Sequence, residues 1–187
     1  MPQPPEVAEH FLEDAILQLR KYKTLAEGAL SQVADADFRR TLEPHGTSNS
    51  VALVMKHISG NMRSRWRDFL TTDGEKPDRE RDREFEIESA DTREALVAEW
   101  EAGWALLFDA IQPLSAADLL RTVRIRGEAH TVLQAIQRQL THYAYHVGQI
   151  VFLAKHFAGN RWRSLSIPKG KSREFDVSRS GAPYPLR

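Results

Sequence analysis

Thr131-Val-Leu-Gln-Ala-Ile-Gln-Arg-Gln-Leu140-Thr-His-Tyr-Ala-Tyr-His-Val-Gly-Gln-Ile150-Val-Phe-Leu-Ala-Lys-His-Phe157 is the stretch on which the fold turns. Leu133, Ile136, Leu140, Val147, Ile150 and Val151 recur at three- and four-residue intervals, the period of a helix with one buried stripe. Thr131 and Gln134 have the spacing of a capping box and start the helix. Inside it His142 and His146 stand one turn apart on one face, so their ring nitrogens can meet at a single metal ion. Tyr143 follows the first histidine where a His-Glu-x-x-His protease carries its glutamate base, so protease chemistry is not supported. A metal site then needs a third ligand from elsewhere in the chain.

The remaining elements are helical by the same period. Residues 6–32 carry Phe11, Leu12, Ala15, Ile16, Leu19, Tyr22 and Ala26 at helical spacing. Asn49 or Ser50 offers an N-cap for a helix over 49–70, with the stripe Val51, Val54, Met55, Ile58, Met62 and Phe69. Asp91 offers a cap for a helix over 90–111, in which Trp100 and Trp104 read as core. With the helix over 131–157 these give an all-α, four-helix bundle with a long crossover between helices 2 and 3. Residues 34–48, with Pro44 and Gly46, read as a loop. Ser115 and Asp118 form a second capping box, and Thr122 to Arg126 alternates like a short strand or hairpin arm ending at Gly127. The chain is one domain, 1–187, with its core over about 6–157 and a Gly-, Pro- and Ser-rich tail over 158–187 that wraps the bundle or trails from it.

Composition removes several function classes. The formal net charge is zero, which argues against a general polyanion binder and leaves room for a local basic patch; no nucleic-acid partner is expected. There is no cysteine, which excludes disulfides, thiolate ligands and a cysteine nucleophile. No apolar run reaches a membrane span, and Met-Pro-Gln-Pro-Pro lacks the regions of a signal peptide; the expectation is a cytoplasmic protein.

The third ligand is sought by helical rotation. At about 100° per residue, His57 falls about 120° behind its stripe, and His142 and His146 fall roughly 100° to 140° behind theirs. All three flank the stripe on the same rotational side, and if the two helices are neighbours they form a three-nitrogen site. Asn61 and Gln149 are within one turn of a ligand and are candidates to orient the rings. Residues 71–88, dense in charge from Asp78 to Glu86, have a plain reading as a solvated crossover. Their functional reading is a loop over the bundle mouth that supplies Arg79, Arg81 or Asp82 to a substrate.

Val54-Met-Lys-His57-Ile-Ser-Gly-Asn61 together with Thr141-His142-Tyr-Ala-Tyr-His146-Val-Gly-Gln149-Ile resembles the DinB/YfiT-like superfamily of metalloenzymes. The likeness extends to Ser48-Asn-Ser50, Asp73-Gly74-Glu75-Lys76 and Arg126-Gly127-Glu128, spans roughly residues 10 to 170, and is nearest an uncharacterised branch. It implies a bundle with a metal triad at His57, His142 and His146, and supplies no ligand from the third helix. It implies a divalent metal cofactor, zinc or nickel ahead of iron or manganese. It also implies a small-molecule substrate, a low-molecular-weight thiol among them, and a homodimer. The function expected is a metal-dependent, thiol-using S-transferase-like enzyme, with metal-assisted hydrolysis second. The alternative is a non-catalytic, metal-binding helical bundle acting in stress or as an interaction protein. Tyr143, Tyr145, Arg79 and Arg126 are the candidates for substrate contact.

Overall fold

Ser50 sets the start of the helix that carries His57. Its backbone is extended, and its Oγ accepts the Leu53 N–H at 3.2 Å, satisfying one of the donors a helix N-terminus leaves free. A computed structural model describes residues 4–43 and 48–174. His45, Pro44, Gly46 and residues 175–187 of the tail lie outside the described residues. The chain is mostly helical, with a small two-stranded sheet. Its helices are α1 (Pro4–Leu30), the short α2 (Asp35–Phe38), α3 (Val51–Trp66), α4 (Arg93–Ile111) and α5 (Val132–Ala158). The strands β1 (Thr122–Ile125) and β2 (Glu128–Thr131) lie between α4 and α5.

The four long helices match the four expected, with shifted ends. The second stops at Trp66 and not at Leu70, because Arg67 turns extended and Asp68 adopts a left-handed φ of 50°. Phe69 is still buried and packs tilted against Trp66, with ring centroids 4.8 Å apart, so its place in the hydrophobic stripe reflected packing and not helix. Thr92, not Asp91, caps α4 by accepting the Ala95 N–H. Asp91 serves Lys56 and the Glu88 N–H instead. Both expected capping boxes are present, at Thr131/Gln134 and Ser115/Asp118.

Helix α3 packs on α4 and on α5, and α1 packs on α5. Gly103 permits the first contact: a Cβ there would stand 3.2 Å from Met62. The core between them holds Met55, Ile58, Met62, Trp66, Trp100, Trp104, Leu107, Ile136, Tyr143 and Val147. The Nε1 atoms of Trp100 and Trp104 find no acceptor among the described residues, which costs about 1–3 kcal/mol each and is offset by burial of two large rings. Arg93, at the start of α4, donates to the Leu30 and Val33 carbonyls and so caps the C-terminal end of α1 with a cation.

Strands β1 and β2 pair antiparallel, Thr122 with Thr131 through Ile125 with Glu128. Arg126 and Gly127 make the two-residue turn with φ of 57° and 77°. Asp73 holds that turn. Its Oδ1 accepts the Arg126 and Glu75 N–H groups, and its Oδ2 accepts the Gly127 N–H. Past α5 the tail wraps back on α1: Gln32 exchanges hydrogen bonds with Arg163, and Leu165 packs over Gly28.

Candidate metal centre

His57 comes from the second turn of α3, and His142 and His146 from successive turns of α5. Because α3 and α5 are in contact, the three rings converge. One ring nitrogen from each lies within 4.8 Å of the other two, and His57 Nε2 is 3.4 Å from His142 Nε2. Among the described residues these three form a group close enough to hold a metal ion. Two nitrogens bound to a tetrahedral zinc at about 2.0–2.1 Å stand roughly 3.3–3.4 Å apart, so the closest pair already has the required spacing.

The proton positions follow from the partners. Glu84 Oε2 lies 2.8 Å from His57 Nδ1, and an ionised carboxylate only accepts, so Nδ1 carries the hydrogen, and the neutral ring then has its lone pair on Nε2. Gln149 Oε1 takes the same role 2.8 Å from His146 Nδ1. His146 Nε2 is buried with no hydrogen-bond partner among the described residues, as is His142 Nδ1. The unpartnered Nε2 of His146 is a buried lone pair that is costly unless a cation fills it, and this is where the residues present fit a divalent ion. Burial, with the neighbouring His146, His57 and arginines, lowers the His142 pKa to about 3. Burial, partly opposed by the Gln149 bond, lowers that of His146 to about 4. Both rings are therefore neutral at pH 7, the form that ligates metals.

Glu84 is the residue that sequence reasoning missed. It lies on a 3-10 turn, Asp82–Phe85, inside the 71–88 crossover, and is 6% exposed. Burial opposes its ionisation, but hydrogen bonds from His57 and from Arg79 outweigh burial and hold its pKa below the usual carboxylate range. Arg79 donates Nε and Nη2 to Glu84 and Nη1 to Glu75. Gly60, one turn after His57, makes room for Glu84, since a Cβ there would come within 2.5 Å of its Oε1.

The crossover is thus not a solvated linker. It returns along α3: Asp78 pairs with Arg67, Lys76 N–H and the Gly74 carbonyl bond Ser64 Oγ, Glu84 meets His57, and Glu86 and Asp91 meet Lys56. Arg81 lines the pocket above the histidines, whereas Asp82 does not. Arg79 also lines the pocket, and its Nε, Nη1 and Nη2 each donate to Glu84 or Glu75, so it supports the carboxylate behind His57.

Two further expectations need correction. Asn61 does not orient a histidine; its Oδ1 accepts from the Tyr143 hydroxyl at 3.0 Å. Tyr143 in turn accepts from Trp66 Nε1 and is wholly buried, so it is core and not a substrate contact. Tyr145 is 54% exposed, stacks beside His146 with ring centroids 4.0 Å apart, and lines the pocket with Arg126. His130 lies in β2, and His10 and His156 are exposed, all outside the group. No described helix is long and apolar enough to cross a membrane.

No curated protein and no solved structure matches the chain. A family model does, over residues 6–171, which takes in α1 through the docked part of the tail and every residue of the centre. The chain belongs to the family described as protein of unknown function, DUF1572.

Proposed function

We propose that His57, His142 and His146 hold one divalent metal ion, zinc or nickel ahead of iron or manganese, and that the chain is a metal-dependent enzyme. We take its fold to be the four-helix bundle of the DinB/YfiT-like superfamily and its reaction to be thiol transfer to an electrophilic small molecule, carried out by a homodimer. The observation that carries this reading is the pair of Nδ1 hydrogen bonds to Glu84 and Gln149, which turns Nε2 of His57 toward His142 Nε2 and leaves Nε2 of His146 without a partner among the described residues. When bound, the ion supplies Lewis acidity to a thiol sulfur or a carbonyl oxygen. The protein supplies the rest: neutral rings held in register, a buried carboxylate that offsets charge through His57, and a pocket of about 370 Å³ opening above His142. Tyr145, half exposed, lines that opening. Metal-assisted hydrolysis is disfavoured because no carboxylate among the described residues lines the pocket, and Glu84 is occupied by His57 and Arg79.

The test begins with metal analysis of protein purified without an affinity tag. One divalent ion per chain is expected, falling sharply in His142→Ala and unchanged in His130→Ala. A triple alanine variant that still held one ion per chain would overturn the site. Metal-dependent turnover of an electrophile with added thiol is then expected; a stably metallated but inert protein would favour the non-catalytic bundle.

A further inference from the structure

The pocket above the histidines is walled by five arginines, Arg65, Arg79, Arg81, Arg126 and Arg138, and no carboxylate among the described residues lines it. Two buried or half-buried carboxylates answer them from behind. Glu84 is taken by Arg79, and Glu75 by Arg79 and Arg126, with Arg65 Nη2 3.8 Å away. Arg79 and Arg126 are therefore largely compensated. Arg81 and Arg138 have no ion pair among the described residues, although Arg81 lies over the Phe85 ring. Arg65 is the informative one. It is 4% exposed, and its Nε and Nη1 have no hydrogen-bond partner among the described residues.

A buried guanidinium with two unsatisfied nitrogens is expensive, and an unmatched cluster of like charges adds to the cost. Structures retain such an arrangement where an anion completes it, and guanidinium groups match carboxylate and phosphate oxygens. We propose that this pocket binds the anionic head of a small substrate, a carboxylate or a phosphate ester, on Arg65, Arg81 and Arg138. The proposal deepens the metal-site reading, on which it rests for identifying the pocket as the substrate's. The anionic head sits among the arginines, and the reacting end of the same molecule reaches His142 and Tyr145, which line the same cavity. Neutral electrophiles are then poor substrates, and the arginine field sets specificity.

The experiment titrates inorganic phosphate and, separately, succinate into the full chain by calorimetry, once metal-free and once zinc-loaded. Saturable binding is expected, weakening as ionic strength rises. Arg81→Gln and Arg138→Gln should each weaken it roughly tenfold, the effect of losing one charged hydrogen-bond partner. Both side chains are exposed, so both variants should fold, which a melting curve checks. Arg83→Gln, an exposed arginine already paired with Glu80 and Glu88 outside the pocket, should bind as the parent does. Whichever probe binds more tightly assigns the head group. No saturable binding of either probe in either state would overturn the proposal. So would binding seen only with zinc and untouched by Arg81→Gln and Arg138→Gln, since the anion would then be a metal ligand alone. Arginine-dependent binding by a chain that takes up no zinc would support the anion pocket while removing the metal reading. Zinc uptake with no anion binding would do the reverse.

Discussion

At the scale of single residues the centre depends on a chain of contacts in which each group fixes the next: Glu75 and Glu84 hold Arg79, Arg79 and His57 hold Glu84, and Glu84 sets which nitrogen of His57 is free. Replacing Glu84 by glutamine keeps an acceptor beside Nδ1 but removes the charge and half of the Arg79 pairing. Metal affinity should fall about 10- to 100-fold, the usual effect of a lost outer-shell carboxylate. If Glu84→Gln lowered the melting temperature yet left the metal Kd within about threefold, Glu84 would be only the partner of Arg79. The histidines were legible in sequence because each lies on a long helix whose rotation can be counted. Glu84 was not, because it is one of several acids in Asp82-Arg-Glu-Phe-Glu86 and its selection depends on where a short 3-10 turn meets Gly60. Gly60 was the available signal: a mid-helix glycine costs about 0.5–1 kcal/mol and marks a close approach. Gln149 was correctly picked as a ring partner, being three residues from His146 on the same helix, where the geometry is fixed locally.

At the scale of elements, the crossover and the β1–β2 hairpin form one docked unit. Arg126 is the unusual point, a non-glycine residue with φ of 57° in the turn, and left-handed backbone costs such a residue roughly 1–2 kcal/mol. Asp73 offsets that cost by accepting both turn N–H groups, and those bonds, with that of Glu75, depress its own pKa against the opposing effect of burial. Asp73→Ala removes three acceptor contacts at a partly exposed position. We expect about 1–2 kcal/mol of destabilisation and roughly 3–6 °C off Tm, with Arg65 and Glu75 loosened where the crossover passes them. Asp73→Asn, which retains one acceptor oxygen, should lose less. Equal melting temperatures for all three proteins would show that the hairpin turn stands without the crossover. The alternation of Thr122 to Arg126 and the following Gly127 made the hairpin legible. Its docking partner was not, because Asp73 and Arg126 lie far apart in the sequence and meet only through tertiary packing.

At the scale of the whole molecule, burying a neutral histidine pair makes stability depend on pH even without metal. His142 and His146 have folded pKa values of about 3 and about 4, below the ordinary value of about 6.5 that the unfolded chain keeps, so between those limits the unfolded state binds more protons. Stability should therefore fall as pH drops from about 6.5 toward 4. Glu84 acts in the same direction at lower pH, since its depressed carboxyl contributes only while ionised and loses that contribution as it is protonated. A bound ion steepens the loss. Ligand at 100 times its Kd adds about 2.7 kcal/mol to stability, and protonation of the rings withdraws it across the same range. Melting curves from pH 7.5 to 4.5, with chelator and with zinc, test this. The parent with chelator should lose Tm steadily below about pH 6.5 and faster with zinc, whereas His142→Ala/His146→Ala should show a flatter profile that zinc leaves unchanged. Parallel profiles for the parent and the double variant would mean that neither ring's pKa is depressed in the folded state, and the neutral-pair account would fail.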